Sequence, residues 1–401
     1  MSVSRASYAA VLRVPHARRT FAAALLGRLS YGVVPLSVML SVTRACGSYT
    51  VAGGVMALFG GTAVFLSPAR AALVDRHGPR RALLAMNAAY LTLLALLALC
   101  LCLSRPSALV LAPLAAAAGA CCPPLGPTMR AVWGHLAPDR GLLQRAYSLD
   151  GVAEELLFVT GPLLVGVLVG LAPPAAGILF GAALMGGGTV AFVTSPVVRA
   201  VRPGKGTERR GGGGGLRRLG RPVAAVAAVG LAIGVADLLI VAFTESHGHG
   251  GAHAAWLLAA MSAGSAVGGL AHGAVSWRSA TGARLPLLTA GLGLTLCAAG
   301  LAPGIVTLGV AVAAVGFFVS PTITTGYLLA DESAAPEARV RAGAWVNTAV
   351  NAGSTAGTAV AGASAGRLPI AVCFAVTGVV VLMTAAAVTL RPFGAGRRVP
   401  V

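Results

Sequence analysis

Charge is scarce in this chain. Only 10% of its 401 residues are Asp, Glu, Lys or Arg, against about 25% in a soluble globular chain. That leaves too little polar surface to coat a water-facing particle, so soluble, coiled-coil and disordered classes are excluded for the whole chain. Acidic residues number 11 against 30 basic ones, and Lys205 is the single lysine. The seven cysteines form no C-x-x-C pair. Cys46 falls in a connection, while Cys100, Cys102, Cys121, Cys122, Cys297 and Cys373 lie in or near apolar runs, so no disulfide framework is implied. No G-x-x-x-x-G-K-[ST] loop, no H-E-x-x-H and no inserted soluble domain is present, which disfavours an ATP-driven pump and an enzyme of that metal class.

Apolar residues are abundant: 57% are hydrophobic, 54 are Gly, and the mean hydropathy is +0.84. At about 20 apolar residues per membrane crossing, the chain can supply about eleven or twelve spans. Windows without any Asp, Glu, Lys or Arg cover 45–69, 82–104, 106–129, 156–198, 246–277, 285–330, 342–366 and 368–390. Two are double length and break at Pro173-Pro174 and at Ala302-Pro303-Gly304. Adding segments around Arg28 and at 222–244 gives twelve expected spans: 20–43, 51–69, 82–104, 107–129, 150–172, 175–198, 222–244, 253–276, 285–302, 304–330, 342–366 and 368–390. The fold class expected is an all-α polytopic membrane protein of two six-helix bundles.

Orientation follows from the basic residues. With the N-terminus in the cytoplasm, 26 of the 30 basic residues fall in cytoplasmic segments, as the positive-inside bias requires. Both termini are then cytoplasmic, the positive charge reflects topology, and nucleic acid is not an expected partner. The first apolar segment, about 24 residues long, exceeds a signal-peptide core and is expected to stay as an anchor. Residues 199–221 are Gly-rich and basic, without apolar periodicity, and read as a flexible linker. Expected domains are therefore 1–198, the linker 199–221, and 222–401. Arg in place of Lys, with abundant Ala and Gly, suggests a G+C-rich bacterial gene and hence the bacterial inner membrane.

Between the second and third segments the chain reads Ala71-Ala72-Leu73-Val74-Asp75-Arg76-His77-Gly78-Pro79-Arg80-Arg81. Gly78 permits a tight turn, and Asp75 can cap a helix N-terminus or pair with an Arg. The segment resembles the signature loop of the major facilitator superfamily, G-x-L-x-D-R-x-G-R-R, with Ala71 and Pro79 as departures. Asp75, Arg76, Gly78, Arg80 and Arg81 carry the resemblance as a conformational loop. The equivalent second-half loop, Gly273 to Arg284, holds Trp277 where the Asp would stand. Gly161-Pro162-Leu163-Leu164-Val165-Gly166 is similar to part of the G-P-x-x-G-G motif of that superfamily's drug/proton antiporters. Pro123 to Arg130 and Tyr147 to Glu155 resemble its bacterial members. Many exporters of the family place an Arg in the fourth span, and 106–129 has none.

Ionisable side chains at bilayer depth are functional candidates by default. Arg28 lies about 12 Å into the first span and Glu154 and Glu155 about 6–8 Å into the fifth, at 1.5 Å per residue. An ion pair between Arg28 and one of these acids is expected, and the resemblance favours Glu155. It is either a static tie between spans or a pair that breaks as protons or substrate bind. Asp237, about 22 Å into the seventh span, is a candidate for proton or cationic-substrate binding, or a neutral acid bonded to a carbonyl. Tyr31 shares the face of Arg28, and Asn347 and Asn351 share one face of the eleventh span. Gly353, Gly357, Gly362 and Gly366 allow close helix packing. The run from Glu245 to His253 holds three histidines but reads as a solvated turn, with no metal site expected.

The resemblance implies a secondary active transporter, proton-coupled and exporting small amphipathic molecules by alternating access. An importer or facilitator on the same fold is the alternative, and a non-transporting scaffold or sensor a further one. No cofactor and no enzymatic activity are expected. The partners are a small-molecule substrate, protons and the lipid bilayer, and the chain is expected to be a monomer.

Overall fold

The computed structural model describes residues 8–102, 107–201, 214–248, 251–364 and 367–390. Most of the linker segment 199–221 lies outside the described residues, as do Gly366 and His249. The described residues are almost wholly helical. A short α1 (Tyr8–Arg13) precedes α2 (Ala17–Cys46), α3 (Tyr49–Phe65), α4 (Ser67–His77), α5 (Pro79–Leu101), α6 (Ala108–Cys121) and α7 (Leu125–Leu136). There follow α8 (Arg140–Leu171), α9 (Pro174–Val193), α10 (Pro196–Ala200), α11 (Gly214–Ser246) and α12 (Gly251–Ala274). The last are α13 (Thr281–Ala299), α14 (Ile305–Ser333), α15 (Arg339–Ser364) and α16 (Ile370–Leu390).

Local chemistry sets several boundaries. Ser48 and Asp139 cap α3 and α8 by accepting from Val51 N and Leu142 N, at 3.3 and 2.8 Å, which satisfies first-turn amides. Gly78 turns between α4 and α5 with φ of 81°, a backbone region open to glycine, and Pro79 starts α5 where no donor is needed. Cys122, Pro123 and Pro124 interrupt the fourth apolar segment, because a proline ring cannot continue a helix.

Among the described residues, ten helical segments are long and apolar enough to cross a membrane, or eleven if α3 and α4, bent by 43° at Leu66, make one. Every expected span coincides with helix. The eleventh, α15, falls short in hydropathy because Asn347, Thr348, Asn351, Ser354, Thr355 and Thr358 interrupt it. Leu109, Leu171 and Leu301 are more than 80% exposed, a surface suited to lipid rather than water. The chain is a multi-pass membrane protein.

Two compact units divide the chain. One comprises Met1–Leu143, Ala153–Thr207 and Ala335–Thr348, the other Gln144–Val152, Glu208–Ala334 and Ala349–Val401. In the first, α2 packs on α9, α3 on α6, and α5 on α9. In the second, α12 packs on α14 and α13 on α16, around a core that includes Val229, Ile240, Leu292, Val312 and Phe374. The glycine stripe of α15 belongs to close helix approach. A Cβ at Gly353 would stand 2.1 Å from the Ala227 carbonyl oxygen of α11, and one at Gly357 2.3 Å from that of Leu231.

Candidate functional site

Arg28, four residues before Gly32 on α2, is 1% exposed. Its Nη2 lies 3.0 Å from Oε1 of Glu154 on α8. The other oxygen of Glu154 pairs with Nη2 of Arg130. Glu154 is thus an acid that meets Arg28; Glu155, which the resemblance favours, has contacts of its own. Successive helical residues diverge by about 100°, so Glu155, also half-buried, presents a different face of α8. Arg130 is the larger surprise. The sequence places it in a connection and finds no basic residue in the fourth span, yet it sits in α7 at 4% exposure. The helix resumes after the proline break, and Leu125 to Trp133 are buried without interruption. That unbroken apolar flank is the signal by which Arg130 could have been found.

Tyr31 holds the break itself. Its hydroxyl donates to the Pro123 carbonyl at 2.5 Å and accepts from Leu125 N at 3.1 Å. One side chain of α2 so bridges an acceptor and a donor at the break, which also bond to each other at 2.9 Å. Gly126 faces the ion cluster: a Cβ there would lie 3.8 Å from both Arg28 Nε and Arg130 Nη1 and 3.9 Å from Glu154 Oε1. Arg28, Tyr31, Gly32, Glu154, Leu157 and Phe158 close around this charge and leave no free volume beside it.

Gly161 fixes how near α8 comes to α2, since a Cβ there would stand 2.7 Å from the Gly32 backbone. Gly32 is one turn from Arg28, and Gly161 two turns from Glu154, so this approach brings the charged pair within reach. Gly166, the other glycine of the motif, has open space around its Cα. Pro162 lies inside α8 without ending it.

Asp75 sits on the polar helix α4, beyond the apolar segment 51–69. Its Oδ2 accepts from Arg341 N at 3.0 Å, in the first turn of α15, where backbone donors lack helical partners. Burial pushes its pKa up to about 7, against hydrogen bonds from Arg341 and Val340 and the Arg341 charge, which lower it. Arg76, Arg80 and Arg81 are exposed. Arg70, assigned by sequence to the same connection, is buried and donates to the carbonyls of Gly119 and Ala63.

The second-half loop works differently from a mere loss of motif. Gln144 Nε2 donates to the His272 carbonyl at 2.6 Å, and its Oε1 accepts from Arg284 at 2.8 Å. Trp277 Nε1 donates to the same His272 carbonyl at 3.1 Å, and the Arg284 guanidinium lies 5.5 Å from the Trp277 ring. An amide and an indole serve here where the first loop uses a carboxylate.

Asp237 belongs to the second unit. It is half-buried on α11 and makes no hydrogen bond or ion pair with a described residue. Asn347 is half-buried and Asn351 exposed on α15. His247 stacks on Phe243, ring centroids 4.0 Å apart. Among the described residues no three His, Cys, Asp or Glu side chains converge as a metal-ligand set.

Comparison with known proteins identifies the architecture. The family model of the Major Facilitator Superfamily matches residues 20–307. No curated protein matches the chain by sequence. The human organic anion transporter MFSD10 superposes with a TM-score of 0.71 at 16% identity, over 93% of this chain and 99% of that one. A bacterial homologue of the iron transporter ferroportin, in its outward-facing state, gives 0.71 at 12% identity, over 93% and 97%. The E. coli fucose:proton symporter FucP gives 0.66 at 15%, over 94% and 99%. At these identities the likeness is one of fold.

Proposed function

The chain belongs to the major facilitator superfamily, and from that premise we propose that it is a proton-coupled secondary transporter that exports small amphipathic molecules. The observation that carries the proposal is the Arg28–Glu154–Arg130 cluster: three ionised groups held in apolar helices α2, α8 and α7. Charges at such depth are costly and are retained where they serve substrate or ion movement. The partial antiporter motif at Gly161 and Pro162 supports export over import.

In this reading the chain lies in the bacterial inner membrane as a monomer, with both termini in the cytoplasm. Residues 1–198 and 222–401 form two six-helix halves that rock about a midplane site. Asp237 carries the proton, as an ionisable group at bilayer depth with no ion-pair partner among the described residues. The test is substrate-induced proton movement in inside-out vesicles, over a panel of cationic, neutral and anionic amphipathic compounds. Proton release from the acidified interior on adding a compound supports antiport. No response to any compound, with the protein inserted and folded, contradicts it.

A further inference from the structure

The loop end of α11, α13 and α16 holds a second concave site that the transport reading does not use. Phe243, His247, Ala299, Gly300, Ala302, Pro303, Ile370, Ala371 and Phe374 enclose about 340 Å³ there, within the range of small-ligand pockets, about 300–1,000 Å³. Its floor is buried and aromatic: Phe374 is 1% and Phe243 6% exposed. Ala299, Gly300 and Ala302, which also line it, bring little side chain.

One polar group converges on it. The His247 ring stacks on Phe243 at 4.0 Å with an interplanar angle of 20°. His247 Nδ1 lies 2.9 Å from the Phe243 carbonyl oxygen. A carbonyl can only accept, so Nδ1 carries the hydrogen, and in the neutral ring Nε2 is left with its lone pair. Nε2 has no partner among the described residues. The cavity lining thus includes two phenylalanines and His247, whose ring is already in stacking geometry and whose Nε2 is unpartnered among the described residues.

Phe243 and His247 are spaced i, i+4 and share a face of α11. Asp237 stands six residues earlier, on a different face, so this cavity is separate from the proposed proton site. We propose that it binds a neutral planar aromatic molecule with a single N–H or O–H donor, of the indole or phenol type. The ring lies against Phe243 and Phe374, and the donor bonds to His247 Nε2. The proposal stands whether or not the chain exports the same class of compound.

Indole and N-methylindole make the test, because they share a ring system and differ in the donor. Saturation-transfer NMR and isothermal calorimetry on the purified chain in detergent would read both. Indole should bind saturably and at least tenfold more tightly than N-methylindole. His247→Phe keeps the stack, removes the acceptor, and should erase that preference. Ala302→Leu fills the cavity and should abolish saturable binding of both, with folding checked by circular dichroism. His247 is exposed, so its variant should fold. Equal affinity for the two probes, a preference that survives His247→Phe, or purely non-saturable uptake into the micelle overturns the proposal.

Discussion

Gly161 of α8 rests against the backbone of Gly32 on α2, so closely that a Cβ at Gly161 would fall 2.7 Å from the Gly32 Cα. This contact explains physically why a glycine of the partial antiporter motif stands where it does. It sets the distance across which Arg28 meets Glu154.

Replacing Gly161 by Ala should therefore cost about 1–3 kcal/mol through forced separation of the helices, lowering the unfolding temperature in detergent. Gly166→Ala should be neutral or slightly stabilising, since nothing lies within 4 Å of its Cβ position and Ala is the better helix former. A larger loss for Gly166→Ala than for Gly161→Ala would refute this assignment.

The ion cluster should behave as one coupled unit. Removing one partner of a buried pair costs on the order of 3–5 kcal/mol, because the other charge is left uncompensated. Glu154→Gln and Arg130→Gln should each destabilise strongly, and the double variant should lose clearly less than the two effects added. Strict additivity in a double-mutant cycle would show that the pair does not act together.

Tyr31→Phe should loosen the junction of α6 and α7. It removes the hydroxyl from the Pro123 carbonyl and the Leu125 amide, which keep only their mutual bond of 2.9 Å, at about 0.5–1.5 kcal/mol. Faster hydrogen exchange at Leu125 and the following residues would register the change. Unaltered exchange there would mean that Tyr31 does not hold the break.

Asp75 should make the start of α15 pH-sensitive. Burial raises this acid from the ordinary value of about 3.9 to about 7. The packed arrangement therefore binds the proton more tightly than one in which Asp75 meets water. Its advantage is complete below about 3.9 and is lost as pH rises through about 7. Exchange in the first turn of α15, corrected for its intrinsic pH dependence, should rise from pH 5 to pH 8 in the wild type and stay flat in Asp75→Asn. Identical profiles in the two proteins would exclude Asp75 as the titrating group.

Much of the fold was legible because the bilayer imposes a coarse rule: long apolar runs become helices, and among the described residues ten or eleven are long and apolar enough to cross. Arg28 and Glu154 stood out for the same reason, as charges in apolar surroundings. Arg130 did not, because it lies one residue beyond the charge-free window 106–129 and after a proline break, which together read as the end of a span. That Glu154 meets Arg28 depends on the rotation of α8 about its axis, which local pattern does not reveal. Arg70 escaped notice because its partners are backbone carbonyls. The second-half loop looked degenerate at Trp277 because its clasp comes from Gln144, far away in sequence. Hydrogen bonds to carbonyls leave no signature in residue type.

The central claim is that proton movement through Asp237 drives export, and transport in proteoliposomes tests it most directly. Under an imposed pH gradient, wild-type protein should drive net movement of a labelled amphipathic compound. Asp237→Asn should lose that movement while still exchanging labelled for unlabelled compound across the membrane, which shows that folding and binding survive. Gradient-driven movement undiminished in Asp237→Asn would contradict the account and remove this residue from the coupling mechanism.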